Sequence, residues 1–258
     1  MVFLIFVIGL LFGSFFNVCI YRIPREQSIV FPPSHCTSCS TQLKWYDLIP
    51  VVSYIMLKGR CRYCGEKVSI RYPLIEFFTA FLWVLIYYRY GYSIETIKFI
   101  SLCSMLLIMA VIDLDTQDVY FSLSLFGIIL GIIFICIECF MYKKVGFNIY
   151  PIISNYVLGG IIPAAIMMLI VILTKGMGWG DVEISFVCGL FLGIRYSLFM
   201  LLIAFILGGI VSIILIVSKR KSKKDAVPFV PFIAVSAVLM SIYGDTIFNW
   251  YFINFIRG

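Results

Sequence analysis

Two aspartates stand where so apolar a chain has little reason to carry charge. Asp113 directly abuts the apolar run 105–112, and Asp181 ends the stretch Gly176-Met177-Gly178-Trp179-Gly180-Asp181 and opens onto the apolar segment 184–192. A charge at the bilayer centre costs at least about 2.5 kcal/mol, so a residue of this kind is a functional candidate by default. The chemistry open to two neighbouring carboxyls is acid–base work, in which one holds a proton while the other takes one from water. The glycines suit such a site: they let the backbone turn with positive φ, and they let another segment approach where a β-carbon would block it. Helix capping or simple solvation is the competing reading, and it suits Asp115 and Asp118 best. The chain has no Gly-Lys-Ser/Thr phosphate loop, no His-Glu-x-x-His and no nucleophile elbow.

A second group of residues suggests a metal. Cys36-x2-Cys39 and Cys61-x2-Cys64 are separated by 21 residues, close to the spacing of a four-thiolate zinc site. Gly65 allows the tight turn of such a knuckle, and the Lys and Arg neighbours favour the ionised thiols. Two disulfides are the alternative, but the charge pattern described below puts this segment in the reducing cytoplasm, where disulfides are rare. Four thiolates leave no open position for a catalytic water, so a structural role is expected, as a staple for a polar loop with little core of its own. His35, the only histidine, reads as a solvated neighbour. Cys136-x2-Cys139 lies in an apolar run beside Glu138 and reads as packing, as do the isolated Cys19, Cys103 and Cys188.

The elements that must position these groups follow from composition. The 258 residues are 62% hydrophobic and 13% charged, with a mean hydropathy of +1.07, against about 25% charged in ordinary soluble domains. This is an all-α polytopic membrane protein. Eight apolar runs are expected to cross the bilayer, at 2–21, 74–90, 97–112, 119–142, 152–173, 184–193, 196–217 and 229–252. The sixth is too short to span comfortably and is expected to tilt or merge with the seventh. The first lacks a basic n-region and a small-residue cleavage site, and is expected to be a permanent span rather than a signal peptide.

The net charge of +7 sorts by membrane side rather than forming a nucleic-acid face, so no nucleic-acid partner is expected. With loop 22–72 inside, 14 of the 20 basic residues, including Lys175 and the run 219–224, fall on the cytoplasmic side and both termini outside. The same topology returns Asp113 and Asp181, 68 residues apart, to that face. The expected organisation is a first transmembrane helix at 1–21, a cytoplasmic four-cysteine module at 22–72, and a transmembrane core at 73–258. Segment 48–57 is expected to be an interfacial helix or the core of the module. Asn17 needs a partner in lipid and reads as interhelical glue. Glu76, one turn inside the second long helix, is expected to pair with Arg22 or Arg71, which is also what an interfacial salt bridge would look like. Pro228 and Pro231 are expected to break the helix near the two aspartates.

Taken together, these residues resemble a known family, the type IV prepilin peptidases, bifunctional leader peptidases and N-methyltransferases among the Gly-x-Gly-Asp intramembrane aspartyl proteases. Residues 13–24 resemble its Gly-Ser-Phe-x-Asn-Val-x-Ile-Tyr-Arg-x-Pro motif, and the cysteine pairs resemble its zinc module. Residues 71–76 are similar to its Arg-Tyr-Pro-x-x-Glu. Asp113-Leu114-Asp115-Thr116 and Gly178-Trp179-Gly180-Asp181-Val182 are similar to its two aspartate motifs, and residues 228–232 to its Pro-Phe-Gly-Pro-Phe. The departures are Glu183 where the family usually has Lys, Tyr120 where it has Pro, and Val230 where it has Gly.

The resemblance implies that Asp113 and Asp181 are catalytic, with Gly178, Gly180 and Asp115 in the active-site loop. The implied substrates are prepilins or pseudopilins of type IV pilus, secretion or competence systems, cut after a Gly at the cytoplasmic face of the cell membrane. It implies zinc on Cys36, Cys39, Cys61 and Cys64, and S-adenosylmethionine as methyl donor, with Asn17, Arg22, Arg71 and Glu76 as polar contacts. A zinc-stapled transporter or scaffold with proton-carrying acids is the alternative. It predicts acids spread across the membrane, whereas Asp113, Asp115, Asp118, Asp181, Glu183 and Asp225 cluster at one face, with Glu138 and Asp245 towards the other side.

Overall fold

The computed structural model describes residues 1–174, 176–219 and 227–255, and among them the chain is helical, with two isolated β-bridges and no strand. Lys175, residues 220–225 and Arg257, which entered the charge sorting, lie outside the described residues. The chain divides into two compact units, Met1–Thr96 and Ile97–Gly258.

The first unit is built on α1 (Val2–Arg22) and α3 (Arg71–Tyr90), which pack along one another. Gly9 and Gly13, four residues apart, make the contact close. A β-carbon at Gly9 would sit 2.6 Å from the Ala80 Cα, and one at Gly13 2.6 Å from the Glu76 Cα. Lipid supplies no hydrophobic drive between helices, so backbone proximity of this kind is what van der Waals packing requires there. The order of the contacts, 9 with 80 and 13 with 76, makes the helices antiparallel. Between them lies the cysteine-bearing loop, with one short helix, α2 (Val52–Met56). Ile55 and Met56 on α2 are 67% and 75% exposed, so these two side chains do not form a core of the module.

The second unit holds α4 (Ile94–Thr116, its first turn assigned to the first unit), α5 (Phe121–Lys144), α6 (Tyr150–Thr174), α7 (Trp179–Val217) and α8 (Val230–Phe255). Among the described residues six helices are long and apolar enough to cross a membrane: α1 and α4 to α8. The eight expected runs therefore fall on seven long helices. Helix α3 is diluted by Arg71, Glu76 and Arg89, and the sixth and seventh runs are joined in α7.

That joint is not a straight helix. Gly193 has φ 73° and ψ 169°, a left-handed setting open to glycine and strained for other residues. Asp181 lies within electrostatic reach of Asp113, Asp113 accepts a hydrogen bond from Val230 N, and Gly208 lies against Phe229 and Phe232. A straight helix from Asp181 to Gly208 would separate those two residues by roughly 40 Å. The chain therefore doubles back at Gly193 into two limbs. The first packs on α5 and α6, with Val187 at Gly127 and Gly189 against the Gly159 carbonyl. The second runs antiparallel to α8, from Tyr196 beside Asp245 to Phe205 beside Phe229. Asn155 of α6 caps the turn, its Oδ1 accepting from Ile194 N at 3.3 Å.

Candidate active site

At one end of the second unit three helix termini converge. Asp113 is in the last turn of α4 and 4% exposed, and Asp181 is in the first turn of α7 and 6% exposed. The first amides of a helix have no partner within it, and here two of them point at the carboxyls. Val230 N, at the start of α8, donates to Asp113 Oδ2 at 3.1 Å, and Gly178 N, ahead of α7, donates to Asp181 Oδ2 at 3.2 Å. The second contact is the reach-back of a capping box, so Asp181 is a helix cap as well as the neighbour of Asp113. Ser185 Oγ donates to the Asp181 carbonyl at 2.7 Å. The Val230 amide carries no side-chain signature, and the only sequence hint of it is the prolines that start α8 late.

The glycines act differently from the first expectation. Neither Gly178 nor Gly180 has positive φ, and Gly178 is extended at φ −82° and ψ 154°. What Gly180 provides is space: a β-carbon there would meet the Val119 Cβ at 2.3 Å. The segment following α4 thus passes directly over the first turn of α7, with Gln117 taking positive φ (58°) to turn it. Asp115 and Asp118 are exposed, as solvated acids would be. Glu183 is half-buried with its Oε2 unpartnered.

The two acids at the other end of the unit are tied up. Glu138 accepts from Lys98 Nζ at 2.6 Å, the same ammonium donates to the Tyr156 hydroxyl oxygen at 2.9 Å, and Asp245 accepts from the Tyr196 hydroxyl.

In the first unit the four thiols of Cys36, Cys39, Cys61 and Cys64 all lie within 4.8 Å of one another. Cys36 Sγ and Cys64 Sγ are 3.9 Å apart, against the roughly 3.8 Å edge of a sulfur tetrahedron around zinc. The two loops match bond for bond. Ser40 N donates to Cys36 O and Gly65 N to Cys61 O, each from a residue of positive φ, and Leu43 N to Ser34 O repeats as Val68 N to Gly59 O. The Thr41 hydroxyl and amide beside Cys39 lower its thiol to about 6, and the amides of Cys64 and Tyr63 lower that of Cys61. Cys64 is pushed the other way, up to about 12, so it is the convergence of the four sulfurs that fits the cluster to a metal ion. His35 is exposed and outside it.

Next to this cluster is a cavity of about 510 Å³ whose walls include Asn17, Arg22 and Glu76. Asn17 Nδ2 bonds the carbonyls of Gly13 and of Tyr72, so it does join α1 to α3. Glu76 differs from expectation: Oε2 accepts from Val51 N at 2.7 Å, with Ser14 also bonding the carboxyl, while Arg22 donates to the carbonyls of Ser28 and Pro32. The loop folds back onto the helix ends, so loop backbone reaches these charges before they reach each other. Arg71 heads α3, outside the cavity lining. Tyr21, Tyr54 and Tyr72 also line it, from three separate elements that no sequence periodicity links.

A multi-pass helical bundle with paired carboxyls at converging helix ends and a four-thiol module defines the class. Residues 7–90 match the bacterial peptidase A24 N-terminal domain, and residues 100–213 match the type IV leader peptidase family. The chain is 31% identical to the prepilin leader peptidase/N-methyltransferase of Bacillus subtilis (strain 168), over 96% of each chain. It is 30% identical to the protein of the same description from Pseudomonas putida, over 94% of this chain and 90% of that one. With that of Myxococcus xanthus the identity is 34%, over 84% and 64%. No solved structure matches. The chain belongs to the type IV leader peptidase family.

Proposed function

We propose that this protein is an intramembrane aspartyl endopeptidase that removes the leader of a prepilin or pseudopilin, cutting after a Gly at the cytoplasmic membrane face. The observation that carries the reading is the approach of Asp113 and Asp181, each with one oxygen already held by a helix-terminal amide. Those amides fix the carboxyls, so the remaining oxygens face the reaction without reorganisation. One carboxyl enters protonated, and the other takes a proton from water as that water attacks the scissile carbonyl. The exposed loop 176–180 receives the extended backbone of the substrate, and the apolar helix behind the cut docks among the spans. Relatives described as leader peptidases and N-methyltransferases support both halves of the reading.

The second half is methylation of the new N-terminal amine, for which S-adenosylmethionine supplies an electrophilic methyl group. We assign Asn17, Arg22 and Glu76 to its site. Zinc on Cys36, Cys39, Cys61 and Cys64 holds the loop that closes the cavity over these residues. The transporter alternative has little support, because Glu138 and Asp245 are engaged in fixed pairs.

Incubating purified protein with a prepilin, followed by mass spectrometry, reads cleavage position and methylation together. Asp113→Asn and Asp181→Asn should each lower cleavage by about 10³-fold or more; full activity in either variant overturns the assignment.

A further inference from the structure

The cavity of the first unit carries one buried charge of each sign, and their placement says which end of a ligand it grips. Ser14, Asn17, Val18, Tyr21 and Arg22 reach it from one face of α1, and Tyr72, Pro73 and Glu76 from the start of α3. Its other basic residues, Arg60, Arg62 and Lys67, are exposed, whereas Arg22 is 6% exposed. Of its acids, Glu66 is exposed and Asp47 is occupied by Arg62 and Tyr63, whereas Glu76 is 8% exposed.

The inner wall is thus one guanidinium and one carboxylate, and they are not paired with each other. Arg22 is held by two carbonyls, and among the described residues it has no carboxylate partner. Glu76 is held by an amide and a hydroxyl. A buried charge is tolerated when a counter-charge compensates it, and here each lacks one. A zwitterionic group would supply both at once, in a volume typical of small-molecule sites, and the three tyrosines offer faces for a cation and a flat ring.

This argument rests on the methyltransferase reading and refines it. We infer that the cavity binds S-adenosylmethionine by its amino-acid end, Arg22 facing the α-carboxylate and Glu76 the α-ammonium, with the sulfonium and adenosine among Tyr21, Tyr54 and Tyr72.

The test is equilibrium binding to the full-length, zinc-loaded protein with three probes: S-adenosylmethionine, its decarboxylated analogue, and 5′-methylthioadenosine, which lacks the amino-acid end. Binding of S-adenosylmethionine should be at least tenfold tighter than that of either analogue. Arg22→Gln should abolish its advantage over the decarboxylated compound, and Glu76→Gln should weaken it at least tenfold. Both variants should bind 5′-methylthioadenosine as the unaltered protein does. Zinc content and melting temperature report whether the variants fold; if one does not, the probe series on the unaltered protein decides. Equal affinity for all three probes overturns the inference while leaving a methyltransferase intact. Binding of none, with cleaved pilin left unmethylated, overturns the methyltransferase reading itself.

Discussion

Gly180 has room for a hydrogen and nothing more. With the Val119 Cβ 2.3 Å from where its own would be, Gly180→Ala must push the segment after α4 away from the first turn of α7. Displacing reacting groups by about 1 Å costs on the order of 10²-fold in rate, and that loss of cleavage is expected here. Val119→Gly in the same chain should restore much of it, and an assay of the single and double variants decides. Lys98 poses the opposite problem, a charge whose removal strands another. Lys98→Met leaves Glu138 buried and unpaired, which should cost about 3–5 kcal/mol, while Lys98→Met with Glu138→Met should recover most of the stability in thermal unfolding. At this scale the sequence was partly legible. Asp113 and Asp181 stood out because carboxyls are rare against apolar runs, and the four thiols because their spacing is specific. Glu76's partner was not legible, since it is the amide of Val51, and any residue but proline could provide it.

The elements were legible to the extent that hydropathy determines them. Helices α1 and α4 to α8 follow the apolar runs, because in lipid every backbone group must be bonded within the segment. The reversal at Gly193 was harder, because a glycine among Leu, Phe and Ile does not reveal its φ. Helix α3 follows its apolar run as well, although Arg71, Glu76 and Arg89 dilute it. The cysteine loop shows what holds an element with little core. Its two knuckles share their hydrogen bonds, but Ile55, Met56 and Trp45 are exposed, so burial contributes little. Chelation of the metal, or Cys36→Ser with Cys61→Ser, should therefore unfold residues 26–70. Limited proteolysis should then cut that loop, and elemental analysis should find one zinc per chain before treatment and none after.

On the scale of the whole molecule, each unit carries a distinct buried chemical site: paired carboxyls in one, opposite charges around a cavity in the other. A single chain with two such sites suits two reactions on one substrate terminus. The expected signature is separability. Asp181→Asn should still methylate a synthetic pilin peptide that already begins at the mature residue, at about the rate of the unaltered protein, read by mass spectrometry. No hydropathy pattern could have disclosed the cavity, because its walls come from three elements and owe their meaning to burial.

The turn at Gly193 also sets a length. The limb from Trp179 to Gly193 is roughly 20 Å long, and a hydrocarbon slab is about 30 Å thick. A rod that short, anchored by its far turn against α6, cannot carry Asp181 to the surface of a thick bilayer. The depth of Asp181 is therefore tied to the lipid, and the bilayer is expected to thin or admit water over this limb. Vesicles of progressively longer acyl chains should slow cleavage several-fold while leaving methylation of a soluble peptide unchanged, which would make membrane thickness a regulator of pilin maturation.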